Sequence, residues 1–214
     1  MRNVMLTVGL AMGLATPLVA QWLGEPVWNS PKGGTGLTIS GDYGHPNADY
    51  GKGNAWGGRA ALGLGTLTLT AGVATWKPDG ATDHVTSIGG NAAFRLIGGS
   101  LLPVAVNLQA GVARSDSASF ADPETIVTGA VGISVPLPTP GFSIEPYFSP
   151  GIRYRNFGSG NGTSTEFGYA VGANLGFGLL GAHLAYDNEK LKGGGSIGVF
   201  GVGLHIGIHL PLGM

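Results

Sequence analysis

The sequence predicts an all-β protein, an up-and-down antiparallel transmembrane β-barrel of ten strands, with eight strands as the alternative. Glycine supplies 41 of the 214 residues, and charged residues supply 11%, against about 25% in average proteins. Mean hydropathy is only +0.23, and no apolar run approaches the ~20 residues of a transmembrane helix. Most of the chain alternates between apolar and small or polar residues. A chain that is apolar on one strand face and weakly charged on the other is typical of a transmembrane barrel.

The composition argues against several other classes of protein. A disordered chain carries more charge and fewer apolar residues, and a soluble enzyme of this length carries more surface Lys and Glu. The formal charge is −1, from 11 basic and 12 acidic residues, and there is no basic stripe that would favour a nucleic-acid partner. The absence of cysteine excludes disulfides, thiolate metal sites and cysteine nucleophiles.

The first element is a predicted secretory signal peptide, residues 1–20. Arg2 precedes an apolar stretch of about eleven residues, and Pro17 stands shortly before Ala20, as in cleaved export signals. Cleavage after Ala20 would leave residues 21–34 as an N-terminal periplasmic or plug segment, with two Trp and two Pro. Residues 35–214 are the predicted barrel.

Ten alternating runs follow, and period 2 over such lengths predicts strands with one apolar face. The predicted strands are residues 35–44, 56–64, 67–76, 86–96, 104–114, 125–135, 142–156, 164–177, 180–187 and 196–210. Their connections alternate between long polar gaps and short, weakly charged ones, as in a meander whose two ends face different compartments. Because an open edge in lipid leaves backbone donors unsatisfied, the first run should pair with the last.

Hairpin geometry predicts which residues face each other. Two-residue turns at 65–66 and 178–179 place Leu64 opposite Leu67 and Asn174 opposite His183. A symmetric 97–103 connection places Asn91 opposite Gln109. In each hairpin the apolar parities coincide, as one sheet face requires.

In the 157–163 loop, symmetric closure places Arg155 opposite Glu166, with Arg153 diagonal. Two Arg and one Glu would leave that wall net positive. Pro146 and Pro150 fall on the apolar parity of one long run. Each removes a ladder donor, so we expect a bulge or a shorter strand there.

The parity opposite the apolar one is the predicted lumen lining, because it carries charged and amide side chains among Gly and Ala rather than the Lys, Glu and Thr of a solvated face. The predicted lumen-lining residues are Arg59, Asn91, Arg95, Asn107, Gln109, Glu145, Arg153, Arg155, Glu166, Asn174, His183, His205 and His209.

Aromatic residues cluster near both ends of the predicted strands, as in interfacial girdles. The predicted girdle residues are Tyr43, Trp56, Trp76, Tyr154, Phe167 and Tyr186 beside the long gaps, and Phe94, Phe142 and Phe177 beside the short ones.

With these features the chain resembles small bacterial outer-membrane β-barrel proteins of the porin-like superfamily, over about residues 35–212. The resemblance implies an outer-membrane location, contact with outer-membrane lipids and folding by the barrel-assembly machinery. Such proteins commonly end on an aromatic residue, whereas this chain ends on Met214.

Motifs with chemical meaning are weak. Gly194–Gly198 matches G-x-S-x-G but opens a strand, whereas the hydrolase motif needs a strand–turn–helix elbow. His205 and His209 lie about 13 Å apart along one strand, too far to share a metal. Asp83 and His84 share a long gap, a pairing that resembles outer-membrane proteases. We therefore expect no catalytic, metal or cofactor site and no enzyme activity.

The Gly and Ala lining leaves room for water in a ten-stranded barrel, so the first functional hypothesis is a narrow passive channel for small solutes. The alternative is a structural or surface-interaction barrel without transport, and an outer-membrane enzyme ranks last. The residues identify neither a solute nor an oligomeric state.

Overall fold

The computed structural model describes residues 22–98, 102–158 and 160–208. The predicted signal peptide and His209 lie outside the described residues. The strands are β1 Gly34–Pro46, β2 Asn54–Gly65, β3 Leu67–Lys77, β4 Val85–Ile97, β5 Ala105–Ser115, β6 Thr125–Ser134, β7 Leu137–Thr139, β8 Phe142–Asn156, β9 Thr163–Phe177, β10 Leu180–Lys190 and β11 Ser196–Ile208, with a single 3-10 turn at Ala48–Tyr50. Within these ranges no helix is long and apolar enough to cross a membrane.

Ten long strands form a closed antiparallel barrel. Neighbouring strands pair in sequence order, β1 pairs with β11, and β6 pairs with β8 to complete the ring. The three-residue β7 follows β6 and pairs with the start of β8. The predicted all-β class, the ten strands and the pairing of the first run with the last are confirmed.

The two tight hairpins have the predicted registers. Leu64 lies opposite Leu67, and Asn174 lies opposite His183. Gly65 and Gly178 have φ of 80° and 60°, the left-handed region that two-residue turns demand and that glycine adopts without a steric penalty.

The predicted pairing of Asn91 with Gln109 is wrong. Asn91 lies opposite Gly111, and the β4–β5 ladder shifts register between Arg95 and Ile97. The strands meet with Ile97 opposite Val106, three residues from the symmetric closure, and the β-bulge then takes up one residue. The error is two residues, so it leaves the parity of both strands unchanged.

The predicted pairing of Arg155 with Glu166 is also wrong by two residues. Arg153 lies opposite Glu166, and Arg155 lies opposite Ser164. The ladder continues to the end of β8, and the N–H of Phe157 then donates to the carbonyl of Gly162 at 3.2 Å. The loop is therefore residues 157–162, one residue shorter than predicted, because β9 begins at Thr163.

The expected interruption of β8 at its prolines is absent from the structure. β8 runs unbroken over 15 residues, and both Pro146 and Pro150 keep partners in β9. The effect of the missing donor appears on the other edge, where the β6–β8 ladder skips the two residues between Ala130 and Ile133, beside Pro150. A proline whose ring points outward removes one hydrogen bond from the ladder but does not bend the strand.

The two faces of the barrel differ as predicted, with one exception among the predicted girdle residues. Large apolar side chains point outward, for example Ile88 at 64% exposed and Leu204 at 70%. The predicted girdle residues Trp56 and Phe177 are outward too, at 62% and 70%. Trp76 is the exception, because it is 7% exposed and lies inside the barrel, on the parity of the small residues of β3.

Candidate functional site: a filled barrel lumen

Residues 22–33, called the inner segment from here on, run through the barrel from end to end. Leu23 packs against Val85 and Ile126, where the longer connections lie; this is the loop end. Gly33 lies beside Gly65, at the end with the tight hairpins; this is the turn end, where the segment joins β1. The lumen is therefore filled by a separate piece of chain rather than by side chains of the wall alone.

Inward-facing wall side chains hold the backbone of the inner segment near the loop end. The N–H of Leu23 donates to Oγ of Ser87 at 3.1 Å, and the N–H of Val27 donates to the carboxylate of Asp187 at 3.3 Å. The Tyr147 hydroxyl donates to the carbonyl of Val27 at 3.2 Å. These bonds satisfy a segment that belongs to no sheet.

Asn29 is the best-connected residue of the inner segment. Its amide nitrogen donates to Oγ of Ser149 at 2.7 Å, and its amide oxygen accepts from Asn107 at 3.1 Å. Its carbonyl accepts from Nδ2 of Asn174 at 2.8 Å. Three strands, β5, β8 and β9, thus converge on one residue.

Glu145 anchors the segment near the turn end. Its carboxylate accepts from the hydroxyl of Ser30 at 2.9 Å, from the N–H of Lys32 at 2.9 Å and from the hydroxyl of Ser134 at 2.8 Å. Arg95 donates to the carbonyl of Lys32 at 2.6 Å. The carboxylate is 1% exposed, so these donors compensate the loss of its hydration.

Glycines of the wall provide the space that the inner segment occupies. A Cβ at Gly201 would lie 2.7 Å from the ring of Pro26 and 3.0 Å from Trp28, and a Cβ at Gly72 would lie 3.0 Å from Trp22. The wall therefore leaves space at these glycines, and the inner segment fills it.

The inner segment carries three buried polar groups without a hydrogen bond from the described residues. They are the indole nitrogens of Trp22 and Trp28 and the carboxylate of Glu25, which is 1% exposed. Unpaired buried polar groups cost free energy that a hydrogen bond would otherwise recover. This cost offsets part of what the wall hydrogen bonds contribute to holding the segment.

The loop-end cluster consists of Glu124, Arg153, Arg155, Asp187 and Glu189. Arg153 donates to Asp187 at 2.6 Å. Arg155 bonds both oxygens of Glu189 at 2.7 Å and reaches Glu124 at 2.8 Å. Four of these side chains are at most 3% exposed, and Glu124 is 12% exposed. With Glu166 opposite Arg153, four carboxylates face two guanidinium groups, so the expected net-positive wall is wrong.

The turn-end cluster consists of Asp42, Arg59, His183 and His205. Arg59 donates to Asp42 at 2.7 Å, and Nε2 of His183 lies 2.6 Å from the other oxygen of Asp42. A carboxylate only accepts, so His183 donates from Nε2 and, when neutral, accepts at Nδ1. Nδ1 of His205 lies 3.0 Å away and is therefore the donor. Trp28 rests on this cluster, 4.5 Å from the His183 ring and 5.1 Å from the Arg59 guanidinium.

A cavity of about 350 Å³ lies on each side of the inner segment. The turn-end cavity is lined by polar residues, among them Lys32, Asn91 and His205, together with glycines and apolar side chains. The loop-end cavity is lined by aromatic and aliphatic side chains with Asp122 and Glu124. Between them lie the residues from Glu25 to Trp28, so the described lumen is closed in the middle.

The structure places the other predicted lumen residues on the inner face as well. Asn107, Gln109 and Arg153 are buried, and Gln109 donates to Ser149 at 2.9 Å. Glu166 is half-buried. His209 lies outside the described residues. Their role in lining a conducting pore stays a prediction. Six of them contact the inner segment instead: Arg59, Arg95, Asn107, Glu145, Asn174 and His183.

Sequence reasoning missed four carboxylates of the two clusters. Asp42 and Asp187 stand on the inward parity of their own predicted strands and could have been included. The predicted strands stop short of Glu124 and Glu189, although Glu124 directly precedes β6 and the parity of His183 continues through Glu189 in β10. The signal that could have found these residues is the apolar–polar alternation of each strand, continued to the charged residues at the strand ends.

Motifs outside the lumen have ordinary surroundings. Asp83 and His84 are exposed in the β3–β4 connection, where a hydrogen bond with the Ser119 side chain lowers the pKa of the Asp83 carboxyl. Ser196 of the G-x-S-x-G match opens β11, and its hydroxyl accepts from Asn188 at 3.2 Å.

Comparison with known proteins identifies the fold but no family. No family model matches the chain, and no curated protein matches it. Among solved structures, the β domain of the Bordetella autotransporter BrkA matches with a TM-score of 0.54 and 12% identity, over 82% of this chain and all of that one. A bacterial polysaccharide outer-membrane secretin matches with a TM-score of 0.50 and 11% identity, over 81% of this chain and 66% of that one.

Neisserial surface protein A also matches, with a TM-score of 0.41 and 14% identity, over 81% of this chain and 98% of that one. The closed antiparallel barrel and the matches with TM-scores of 0.54 and 0.50 show that the chain has the fold of bacterial outer-membrane β-barrel proteins. At these identities the likeness concerns the fold alone.

Proposed function

We propose that this barrel lies in the bacterial outer membrane and is a narrow passive channel for small solutes, closed by the inner segment and opened when that segment leaves the lumen. The observation that carries the proposal is the hollow wall. Glycines such as Gly72 and Gly201 stand where Trp22, Pro26 and Trp28 pack, so the bore is closed by a removable segment and not by the wall.

The energetics of the inner segment support opening. Its hydrogen bonds to the wall are made with polar and charged side chains that water can replace. Such bonds contribute about 1 kcal/mol each, or about 1.5–3 kcal/mol where a charged group takes part, and burial of Trp22 and Trp28 adds to them. Against these terms stand the Glu25 carboxylate and two indole nitrogens, which have no hydrogen bond within the described residues. The free energy of the closed state relative to the open state is thus a difference between opposing terms, as a gate requires.

The charge of the loop-end wall supports a preference among solutes. Four carboxylates face two guanidinium groups there, whereas Asp42 and Glu145 face Arg59 and Arg95 in equal number nearer the turn end. An open bore with excess negative charge concentrates cations. We therefore expect the open channel to conduct cations in preference to anions.

Single-channel conductance in planar bilayers tests the proposal. One variant replaces residues 22–32 by a Gly/Ser repeat of equal length, and it should show steady open steps that the native chain shows rarely. A second combines Leu23→Cys with Ser87→Cys, because the Leu23 N–H lies 3.1 Å from the Ser87 hydroxyl. Oxidation should silence this variant, and reduction should restore native behaviour.

Leu23→Cys alone is the matched control and should not respond to oxidation. Heat-modifiable gel mobility shows whether each variant has folded into a barrel. A folded barrel with the replaced segment that gives no conductance steps would overturn the channel and favour the structural barrel.

A further inference from the structure

Glu25 of the inner segment is enclosed by the barrel without a donor for its carboxyl group. It is 1% exposed, and neither of its oxygens has a hydrogen bond within the described residues. Two strands lie against it, because a Cβ at Gly57 of β2 would be 3.3 Å from its Oε1 and a Cβ at Gly44 of β1 would be 3.2 Å from its Cα. Glu145, in the same lumen, accepts three hydrogen bonds at 2.9 Å or less. The closed lumen thus provides for an ionised carboxylate at Glu145 but not at Glu25.

The charged side chains around Glu25 supply no separate counter-charge. Asp42 of β1 and Arg59 of β2 act on it electrostatically, and Arg59 donates to Asp42 at 2.7 Å. His183 of β10 bonds the other oxygen of Asp42 at 2.6 Å. The Arg59 charge is therefore already balanced by Asp42, and an ionised Glu25 would add a second carboxylate to the same pair.

The form of Glu25 that suits the closed lumen is the neutral, protonated one, because an ionised carboxylate loses its hydration there. Asp187 of β10, which bonds the N–H of Val27, is itself a carboxylate paired with Arg153 and gives no positive charge to Glu25. Outside the lumen, water hydrates the carboxylate, and glutamate in water has a pKa of about 4.3. Near neutral pH the closed state therefore holds one proton more than the open state.

We propose that Glu25 makes the closure of the lumen pH-dependent: the inner segment stays in the barrel while Glu25 is protonated, and loss of the proton drives the segment out. The inference rests on the proposed function, since departure of the segment is the opening step there, and it adds the stimulus for that step. Because the closed state binds one proton more, raising the pH favours the open state. The ratio of open to closed barrels should rise about tenfold for each pH unit.

Labelling of a cysteine in the inner segment tests the proposal independently of conduction. The chain has no native cysteine, and Leu23 is 5% exposed, so Leu23→Cys should react with a charged maleimide only after the segment leaves the lumen. Rates are measured on the full-length barrel in micelles from pH 7.0 to 8.5, above the ordinary range of histidine titration. A free thiol reacts about tenfold faster per pH unit, because the thiolate is the nucleophile. Leu23→Cys should react about a hundredfold faster per pH unit.

Glu25→Gln in the Leu23→Cys background is the matched variant, because it keeps the size of the side chain and removes the titrating proton. Its rate should follow that of the free thiol, so the ratio of the two rates should change about tenfold per pH unit. Asp79→Asn, which removes an exposed loop carboxylate, should leave the steep dependence unchanged. A Leu23→Cys rate that runs parallel to the free thiol would overturn the proposal, even if Glu25→Gln fails to fold.

Conductance at the same pH values separates this proposal from the proposed function. Opening of the native chain should become more frequent as the pH rises, and Glu25→Gln should abolish the trend. Steep labelling of a barrel that gives no conductance steps would support the role of Glu25 and overturn the channel. Conductance steps from the barrel with the replaced segment, together with labelling parallel to the free thiol, would support the channel and overturn the role of Glu25.

Discussion

The loop-end and turn-end clusters both place charged side chains inside the barrel, but they differ in the burial and in the partners of their arginines. At the loop end, Arg155 bonds two carboxylates, and its side chain is only 3% exposed. At the turn end, Arg59 is 16% exposed, and its partner Asp42 also has His183. A buried guanidinium loses its hydration, and the two carboxylates compensate that loss at Arg155. Arg59 is partly hydrated and shares its one carboxylate with a histidine. The loop end is therefore the less tolerant of substitution.

The largest expected effect is that of Arg155→Met. The variant leaves Glu124 without its cation and leaves Glu189 only the more distant Arg153, at 3.8 Å. Breaking a buried pair in this way costs about 3–5 kcal/mol. The free energy of unfolding, measured by urea titration in detergent, should fall by that amount. Adding Glu189→Gln should recover part of it. A loss below about 1 kcal/mol would show that the loop-end cluster is hydrated.

A somewhat smaller effect is expected from Gly201→Val, which places methyl groups against Pro26 and Trp28. Overpacking of this kind costs about 1–3 kcal/mol, and expulsion of the inner segment relieves it. Limited proteolysis should then cut within residues 22–33 while the barrel stays intact. Gly207→Val is the control on the same strand face, because its Cβ would meet its nearest neighbours at 3.9 Å. Equal protection of both variants would contradict the packing argument.

Arg59→Met should cost less than Arg155→Met, about 1.5 kcal/mol, the value of a hydrogen bond to a charged group. Asp42 keeps its bond from His183 at 2.6 Å, so no carboxylate is left without a donor. The same urea titration measures the difference between the two arginine variants. If Arg59→Met proves as costly as Arg155→Met, the contrast between the clusters is wrong.

The smallest effect on stability is expected from Glu166→Ala, below about 1 kcal/mol, because the side chain is half-buried and partly wet ion pairs contribute little. Its effect should appear in conduction. In the barrel with the replaced inner segment, one fewer carboxylate at the loop end should shift the reversal potential toward anions. Asp79→Asn removes a charge outside the lumen and should cause no shift. An unchanged reversal potential in Glu166→Ala would show that this carboxylate does not contribute to ion selectivity.

Alternation along the chain was enough to predict the barrel. Period 2 is a property of each strand by itself, so runs such as 67–76 and 142–156 and the outward face of Ile88 follow from local pattern. The tight turns at Gly65 and Gly178 leave almost no freedom in register. Trp76 shows where a compositional rule misled, because aromatic residues near strand ends were assigned to girdles although parity places this one inside.

What only the tertiary structure decided is how the interior is filled. Registers across longer connections depend on bulges and on hydrogen bonds within the loop. The predicted partners of Asn91 and Arg155 are therefore each wrong by two residues. The partners of Arg155 and Asp187 come from strands that are not sequence neighbours or from the inner segment, and no period within one strand encodes them. The path of residues 22–33 is the clearest case. Two tryptophans and two prolines mark a segment that needs burial, but the hollow that receives it exists only once ten strands have closed around it.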